Sequence, residues 1–299
     1  MKCLAAMATW NRKDISIPCI ESYLATCSPD VAELHVVDNG STDGMQEWLV
    51  ENTSRLADKD VHCHFNDLNM GTAVAINSVW AKRSPVQHCM KIDSDVVWKQ
   101  DKWLDRMVEV FQYAGNVGIV GLKRRDVWEN PGHPDVFYRT RLIDLYRADG
   151  STFVIEQANH VIGTCWLVRS SLINVIGALK QPGQYGFDDA LYCLRANLAK
   201  YASVFLPDIE IEHIDPGEAG TDINAIYTRW KHTSAQTDMS EYEKLRDAYH
   251  KGERPIYESF EDGVHNKYQD FRYTTFSARD SSKDMIAEFG ESLDYGSEP

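Results

Sequence analysis

Met90-Lys91-Ile92-Asp93-Ser94-Asp95-Val96-Val97-Trp98 places two carboxylates one residue apart inside an apolar run. Such a run reads as a buried strand that reaches the surface at the acidic triplet. Side chains at i and i+2 of an extended strand point the same way, so Asp93 and Asp95 are expected to face one pocket together. Two adjacent carboxylates repel each other unless something positive sits between them. A divalent cation carrying a diphosphate supplies that charge, and hard oxygen ligands suit magnesium or manganese better than zinc. Taken alone, a D-x-D is more often a turn with two solvated aspartates. What decides between the two readings is the rest of the chain.

Upstream, strand and helix patterns alternate. Cys3 to Thr9 reads as a strand, followed by Trp10-Asn11-Arg12 as the loop leaving its carboxyl end. Ile15, Cys19, Ile20, Tyr23, Leu24 and Cys27 recur at helical spacing until Ser28-Pro29-Asp30 stops them. Glu33 to Val37 is a second strand, and its polar loop Asp38-Asn39-Gly40-Ser41-Thr42-Asp43-Gly44 leads into a helix with Met45, Trp48 and Leu49. Val61 to Phe65 repeats the plan, with Asn66 to Gly71 as the loop and a helix through Val74, Asn77 and Trp80. Gly71 at that helix start lets the backbone approach a bound group closely. Strand, helix, strand, helix, strand by position 97 predicts a parallel, doubly wound half with right-handed crossovers, whose ligands bind at the carboxyl ends of the strands.

Downstream, Trp103 to Phe111 predicts a helix and Val117 to Leu122 a strand. Lys123 to Asp149, with Lys123, Arg124, Arg125, Arg139, Arg141 and Arg147, reads as an irregular or hairpin segment on the acceptor side, or as a solvated basic surface. His160 to Arg169 is a strand running into a helix capped by Ser170 or Ser171. Gly186-Phe187-Asp188-Asp189 opens another helix, and Ile209 to His213 is an alternating strand ending on a histidine. Thr221 to His232 has Ile223, Ile226, Tyr227 and Trp230 at amphipathic helical spacing, and Asp238 to His250 predicts one more helix.

The chain has 299 residues, 43% hydrophobic and 25% charged, ordinary values for a globular protein able to bury a large core. Its net charge of -14 disfavours non-specific adhesion to nucleic acid or anionic membrane. Half of that charge sits in Thr233 to Pro299, with 15 acidic and 8 basic residues, so the remainder is closer to neutral. The 7 cysteines have no C-x-x-C spacing and mostly lie in apolar stretches, as expected of reduced thiols in a cytoplasmic protein. The first residues are too short an apolar run for a signal peptide, and no stretch has membrane length.

Together these segments resemble the family 2 glycosyltransferases of the GT-A fold. The match runs through Asp38 to Gly44, Asn69-Met70-Gly71 with Asn77, Asp93-Ser94-Asp95, Gly163 followed by Arg169, Gly186 to Asp189 with Arg195, and His213. The resemblance implies an α/β fold with a mixed, mainly parallel sheet flanked by helices. It also implies a catalytic domain over 1-232, with its nucleotide-binding half at about 1-97 and its acceptor half at 98-232. Residues 233-299 then form an acidic helical or irregular extension.

The same resemblance implies a metal-dependent, inverting transfer of a sugar from a UDP-sugar to an acceptor hydroxyl. Asp38 is similar to the family's base-binding aspartate, with Thr9, Trp10 and Arg12 beside the same nucleoside and Asn69 and Gly71 in the donor loop. Asp93 and Ser94 meet ribose or a metal-bound water. Asp95 binds Mn2+ or Mg2+, with Asp93 and His213 as further metal-side groups. One of Asp188 and Asp189 is the general base. Phe187 and Ala190 stand where many members have acidic residues, which leaves open which aspartate it is, and the motif alignment favours Asp188.

Two other readings compete. A nucleotidyltransferase usually carries a glycine-rich basic loop after the first strand, and Thr9-Trp10-Asn11-Arg12-Lys13 has no glycine. A silent nucleotide-sugar-binding module would not need Asp93, Asp95, Asp188 and His213 together. For the acceptor, saccharides, small molecules and hydroxymethylated pyrimidines in phage DNA are open; the last would place the protein in a host cytoplasm and require base flipping. Trp98, Trp103 and Trp166 are expected in the core, with Trp98 or Trp166 as the alternative sugar platform.

Overall fold

The computed structural model describes residues 2–124, 141–183, 185–215, 227 and 239–264. Among these described residues ten strands form one sheet: β1 (Cys3–Thr9), β2 (Ala32–Asp38), β3 (Val61–Phe65), β4 (Cys89–Asp93), β5 (Val96–Trp98), β6 (Val117–Arg124), β7 (Arg141–Tyr146), β8 (Thr152–Ala158), β9 (Cys165–Val168) and β10 (Ala202–His213). Their order is β3-β2-β1-β4-β9-β6-β10-β8-β7, with β5 paired to β10. The first four strands in that order are mutually parallel, as the repeated βα units predict. β9 runs antiparallel to both β4 and β6, and the β7–β8 hairpin closes the far edge against β10.

The helices are α1 (Lys13–Thr26), α2 (Met45–Glu51), α3 (Thr53–Ala57), α4 (Thr72–Trp80), α5 (Trp103–Tyr113), α6 (Ser170–Ile176), α7 (Asp188–Leu198), α8 (Met239–Lys251) and α9 (Phe260–Gly263). Strand alternation sends Cys3, Ala5 and Met7 of β1 into the core on one face of the sheet and Leu4 and Ala6 into the core on the other. α1, α2 and α5 cover the first face, and α4, α6 and α7 cover the second. Trp98, Trp103 and Trp166 are all buried, so none is a sugar platform.

Several elements depart from expectation, among them the strand expected from His160, which begins only at Cys165. The acidic stretch is not one continuous strand: β4 ends at Asp93, Ser94 and Asp95 form a turn, and β5 leaves to pair antiparallel with the end of β10. The cause is visible in the pairing, because His213 lies opposite Val96 and the Ile214 N–H donates to the Asp95 carbonyl at 2.9 Å. The stretches Val204–Asp208 and Ile209–His213 are a single strand with a register shift around Pro207, which has no N–H to give the ladder. Neither Ser170 nor Ser171 caps α6 through its side chain. Instead the Ser170 N–H donates to His88 Nδ1 at 3.0 Å.

Behind α7 lies α8, joined to it through Leu191, Leu245 and Tyr249. Beyond α8 the chain returns to the core: Glu258 pairs with Gly177, whose φ is +70° and where a Cβ would fall 1.9 Å from the Glu258 carbonyl oxygen. Asn77 Nδ2 donates to the carbonyls of Leu179 and Gly263 at 3.0 and 2.8 Å. The predicted helix over 221–232, apart from Tyr227, and the acidic tail beyond 264 lie outside the described residues, as do Arg125 and Arg139.

Candidate active site

The carboxyl ends of β1 and β4, the turn after β4, the loop before β9 and the start of α7 enclose a cavity of about 320 Å³. Thr9, Trp10, Arg12, Asn69, Asp93, Ser94, Asp95, Asp188, Asp189 and His213 all line it. Asp38 and Gly71 do not. Asp38 is fully buried behind that wall; its Oδ1 accepts from the N–H groups of Gly40 and Ser41 and from Gln46, while its Oδ2 has no hydrogen bond. Burial raises its pKa, with the hydrogen bonds from Ser41 and Gln46 opposing. Gly71, at φ +84°, is held by the Asn69 side chain, whose Oδ1 accepts its N–H at 3.0 Å.

One end of the cavity is a carboxylate–imidazole cluster. Ligand atoms of Asp95, His213 and Asp215 lie within 4.8 Å of one another. Asp95 Oδ2 is 2.8 Å from Arg12 Nη1 and 3.2 Å from His213 Nε2, and Arg12 Nη2 is 3.1 Å from Asp215 Oδ1. Asp95 is desolvated, yet His213 and Arg12 together hold its carboxyl well below the usual range. Its Oδ1 is buried with no hydrogen bond. Two carboxylates and an imidazole converging beside a bare carboxylate oxygen fit a divalent cation. The Arg12 guanidinium also lies over the Tyr227 ring, at 4.3 Å.

The other end is built around Lys91, buried one residue pair upstream of Asp93 on the same face of β4. Its ammonium is 2.8 Å from Asp93 Oδ1, 2.8 Å from the Gly163 carbonyl and 3.4 Å from Asp188 Oδ2. Asp93 is pushed up to about 6, because burial outweighs the attraction of Lys91. Burial raises Asp188 as well, against Lys91, and its Oδ2 makes no hydrogen bond. Asp189 differs. Its Oδ2 accepts the Gly163 N–H at 2.9 Å and lies 3.3 Å from His160 Nε2, and these partners outweigh burial and hold its carboxyl low.

The two aspartates of α7 are therefore unlike. Asp189 is tied into the loop before β9, whereas Asp188 faces the cavity with an oxygen to spare. Phe187, just before them, takes a left-handed φ of +63° and stacks on Tyr242 of α8 with ring centroids 4.1 Å apart. Sequence reasoning missed Lys91, His160 and Asp215. The signal for two of them was present, since Lys91 stands two residues from Asp93 and Asp215 two from His213. Arg195, by contrast, is a structural residue: fully buried, it donates to the carbonyls of Ile176 and Ala178 at 2.8 and 2.7 Å.

The family model for glycosyl transferase family 2 matches residues 5–177. The chain belongs to that family, with a GT-A fold, and is a glycosyltransferase. The matched stretch carries Asp93, Ser94 and Asp95 and ends before Asp188, Asp189 and His213. No curated protein matches the chain by sequence. Among solved structures, the mannosyltransferase PcManGT from Pyrobaculum calidifontis, in complex with GDP-Man and Mn2+, is similar at a TM-score of 0.60 and 16% identity, over 100% of this chain and 76% of that one. GalNAc-T7 with UDP, GalNAc and Mn2+ is similar at 0.54 and 12%, over 90% of this chain and 57% of that one. TarS 1-349 from S. aureus in complex with UDP-GlcNAc is similar at 0.52 and 13%, over 92% and 74%. Among the described residues no helix is long and apolar enough to cross a membrane.

Proposed function

We propose that the protein moves a sugar from a UDP-sugar to the hydroxyl of a saccharide or small-molecule acceptor, with a divalent metal and inversion at the anomeric carbon. The observation that carries this reading is the division of one cavity into two acidic centres, Asp95–His213–Asp215 and Asp188, linked through Asp93 and Lys91. Structures similar to this chain hold UDP-GlcNAc, UDP or GDP-Man, two of them with Mn2+, which supports a nucleotide-sugar donor.

Asp95, His213 and Asp215 would hold Mn2+ or Mg2+, and Asp95 Oδ1 is the bare oxygen such an ion satisfies. When bound, the ion supplies Lewis-acid neutralisation of the leaving diphosphate. Arg12 adds a planar cation suited to phosphate oxygens at the same end. Thr9, Trp10 and Asn69 border the nucleoside, and Gly71 and the buried Asp38 support that wall from one layer behind. Asp93 and Ser94 meet the ribose.

Asp188 is the general base. As the acceptor oxygen bonds to the anomeric carbon and the bond to the diphosphate breaks, the hydroxyl proton passes to its carboxylate. Lys91 favours the anionic form of that carboxylate against the burial that raises it, and Asp189 positions the start of α7 through Gly163 and His160. The test is release of nucleoside diphosphate from a panel of nucleotide sugars with Mn2+ or Mg2+, with and without EDTA. Metal-dependent release from a UDP-sugar, abolished in Asp95→Ala, is expected, with NMR of the product showing the inverted anomer. A retained anomer would remove the base role of Asp188, and failure to bind any UDP-sugar would remove the donor assignment.

A further inference from the structure

Outside the cavity, three histidines share one face of the sheet's parallel edge. His35 of β2 is in register with His62 of β3, and His64 follows two residues on, so strand alternation turns all three rings to the same side. Leu34 and Val36 point the opposite way into the core. Glu33, also on β2, lies on the histidine face. Ligand atoms of Glu33, His35 and His62 lie within 4.8 Å of one another.

The partners of these groups leave particular atoms bare. His35 Nδ1 and His64 Nε2 are 2.7 Å apart in rings parallel to within 4°, a hydrogen bond that needs one N–H and one lone pair. With His35 as donor, its Nε2 is left as a lone pair, 3.9 Å from Glu33 Oε2. His62 Nε2 lies 3.0 Å from Asp60 Oδ1, so donation to that carboxylate leaves Nδ1 bare. Asp60 is in turn fixed by Lys2 at 2.7 Å. Glu33 Oε1 accepts from Gln87 at 2.9 Å, which leaves Oε2 facing His35. Histidine ligands of metals characteristically donate their second ring nitrogen to a carboxylate or another acceptor, which sets the tautomer and aims the lone pair. Both histidines have such a partner here.

We infer that this face is a second metal site, for one zinc-class divalent ion, with His35, His62 and Glu33 as ligands and His64 and Asp60 as the groups that orient them. Two imidazoles and a carboxylate are the donor set of three-ligand zinc sites, with a fourth position for water. Ligand atoms around a tetrahedral zinc lie about 3.3 Å apart, given bonds of about 2.0 Å. The 4.8 Å spread therefore closes by side-chain rotation, chiefly of the exposed His62. None of the five residues lines the cavity, whose carboxylate-rich cluster suits harder ions. A bound ion would clamp the edge strand β3 to β2.

The inference does not rest on the glycosyl-transfer reading, and its test keeps the two apart. Zn2+, and Co2+ read by its visible d–d absorption, are titrated into the full chain carrying Asp95→Ala, which disables the cavity cluster. One equivalent of Zn2+ binding at micromolar affinity, not displaced by excess Mn2+ and accompanied by a higher thermal midpoint, is expected. His62→Gln and Glu33→Gln should each weaken binding by tenfold or more. Asp60→Asn should weaken it by roughly tenfold through orientation alone. His62 is 45% exposed, so His62→Gln keeps the metal-free thermal midpoint and any loss of binding is a loss of ligand. Zinc binding unchanged by His62→Gln, or no binding at 100-fold excess of Zn2+ over about 1 µM protein, would overturn the inference.

Discussion

Replacing Lys91 by methionine isolates the contribution of one buried charge. The ammonium lies 3.4 Å from Asp188 and 2.8 Å from Asp93; Lys91 and Asp188 are largely hidden from water, whereas the Asp93 side chain is 35% exposed. At an effective dielectric of about 20, a unit charge at 3.4 Å is worth about 5 kcal/mol to the Asp188 carboxylate. Burial raises Asp188, the Asp189 charge adds to it, and Lys91 is the largest opposing influence. Without it nothing comparable opposes burial, and the balance moves further towards the protonated carboxyl, which cannot accept a proton. The acid limb of the kcat/KM profile should therefore move to higher pH, with donor affinity changed much less. Removing one partner of a buried ion pair also costs about 3–5 kcal/mol of stability. For a chain of 299 residues that lowers Tm by roughly 5–8 °C. Asp188→Asn added to Lys91→Met removes one of the stranded charges and should recover part of the lost Tm. A Lys91→Met enzyme with an unshifted pH profile and a Tm within a degree or two of the parent would refute the assigned role.

In the otherwise intact enzyme, Asp188→Asn should lower kcat by about 10²–10⁴ while the donor Kd, read by calorimetry, stays within a factor of two or three. Asp95→Ala should instead abolish Mn2+ binding in the cavity, measured by electron paramagnetic resonance. Arg195→Met leaves the carbonyls of Ile176 and Ala178 without donors and should destabilise the protein by about 3 kcal/mol in urea melts, with no change in donor affinity. The His160–Asp189 pair should be strongest between about pH 4 and 6.5. His160 has a raised pKa, so its contribution is complete below 6.5 and lost as pH rises through the folded value. Asp189 has a lowered pKa, so its share is complete above about 4 and lost as pH falls through the folded value. Denaturation midpoints across pH for the parent and His160→Gln should differ most inside that window.

Much of the fold was legible because periodicity records which face of each element is buried. β1 and β3 fall where the apolar runs begin and end, and α1, α4, α5 and α7 follow their predicted patterns closely. Local patterns carry no information on pairing, so the antiparallel insertion of β9 and the departure of β5 could not be read from them. The break after Asp93 is a tertiary effect, imposed by β10 arriving beside Val96. Ten of the twelve site residues expected from the sequence line the cavity, and the exceptions, Asp38 and Gly71, sit one layer behind it. Lys91 escaped notice because a lysine in an apolar strand acquires meaning only when Asp188, 97 residues later, is brought against it.

The Asn77–Gly263 hydrogen bond also bears on how the chain is made. Its partners are 186 residues apart, and the main-chain pairing of Gly177 with Glu258 lies in the same late segment. At ribosomal speeds of about 5–20 residues per second, Gly263 follows Asn77 by roughly 10–40 s. Throughout that interval α4 has an amide lacking one of its acceptors, and α7 has an apolar flank awaiting Leu245 and Tyr249. A nascent chain halted before residue 239 would thus hold both centres of the cavity on an unfinished support, exposed to proteases and chaperones until the last helices dock.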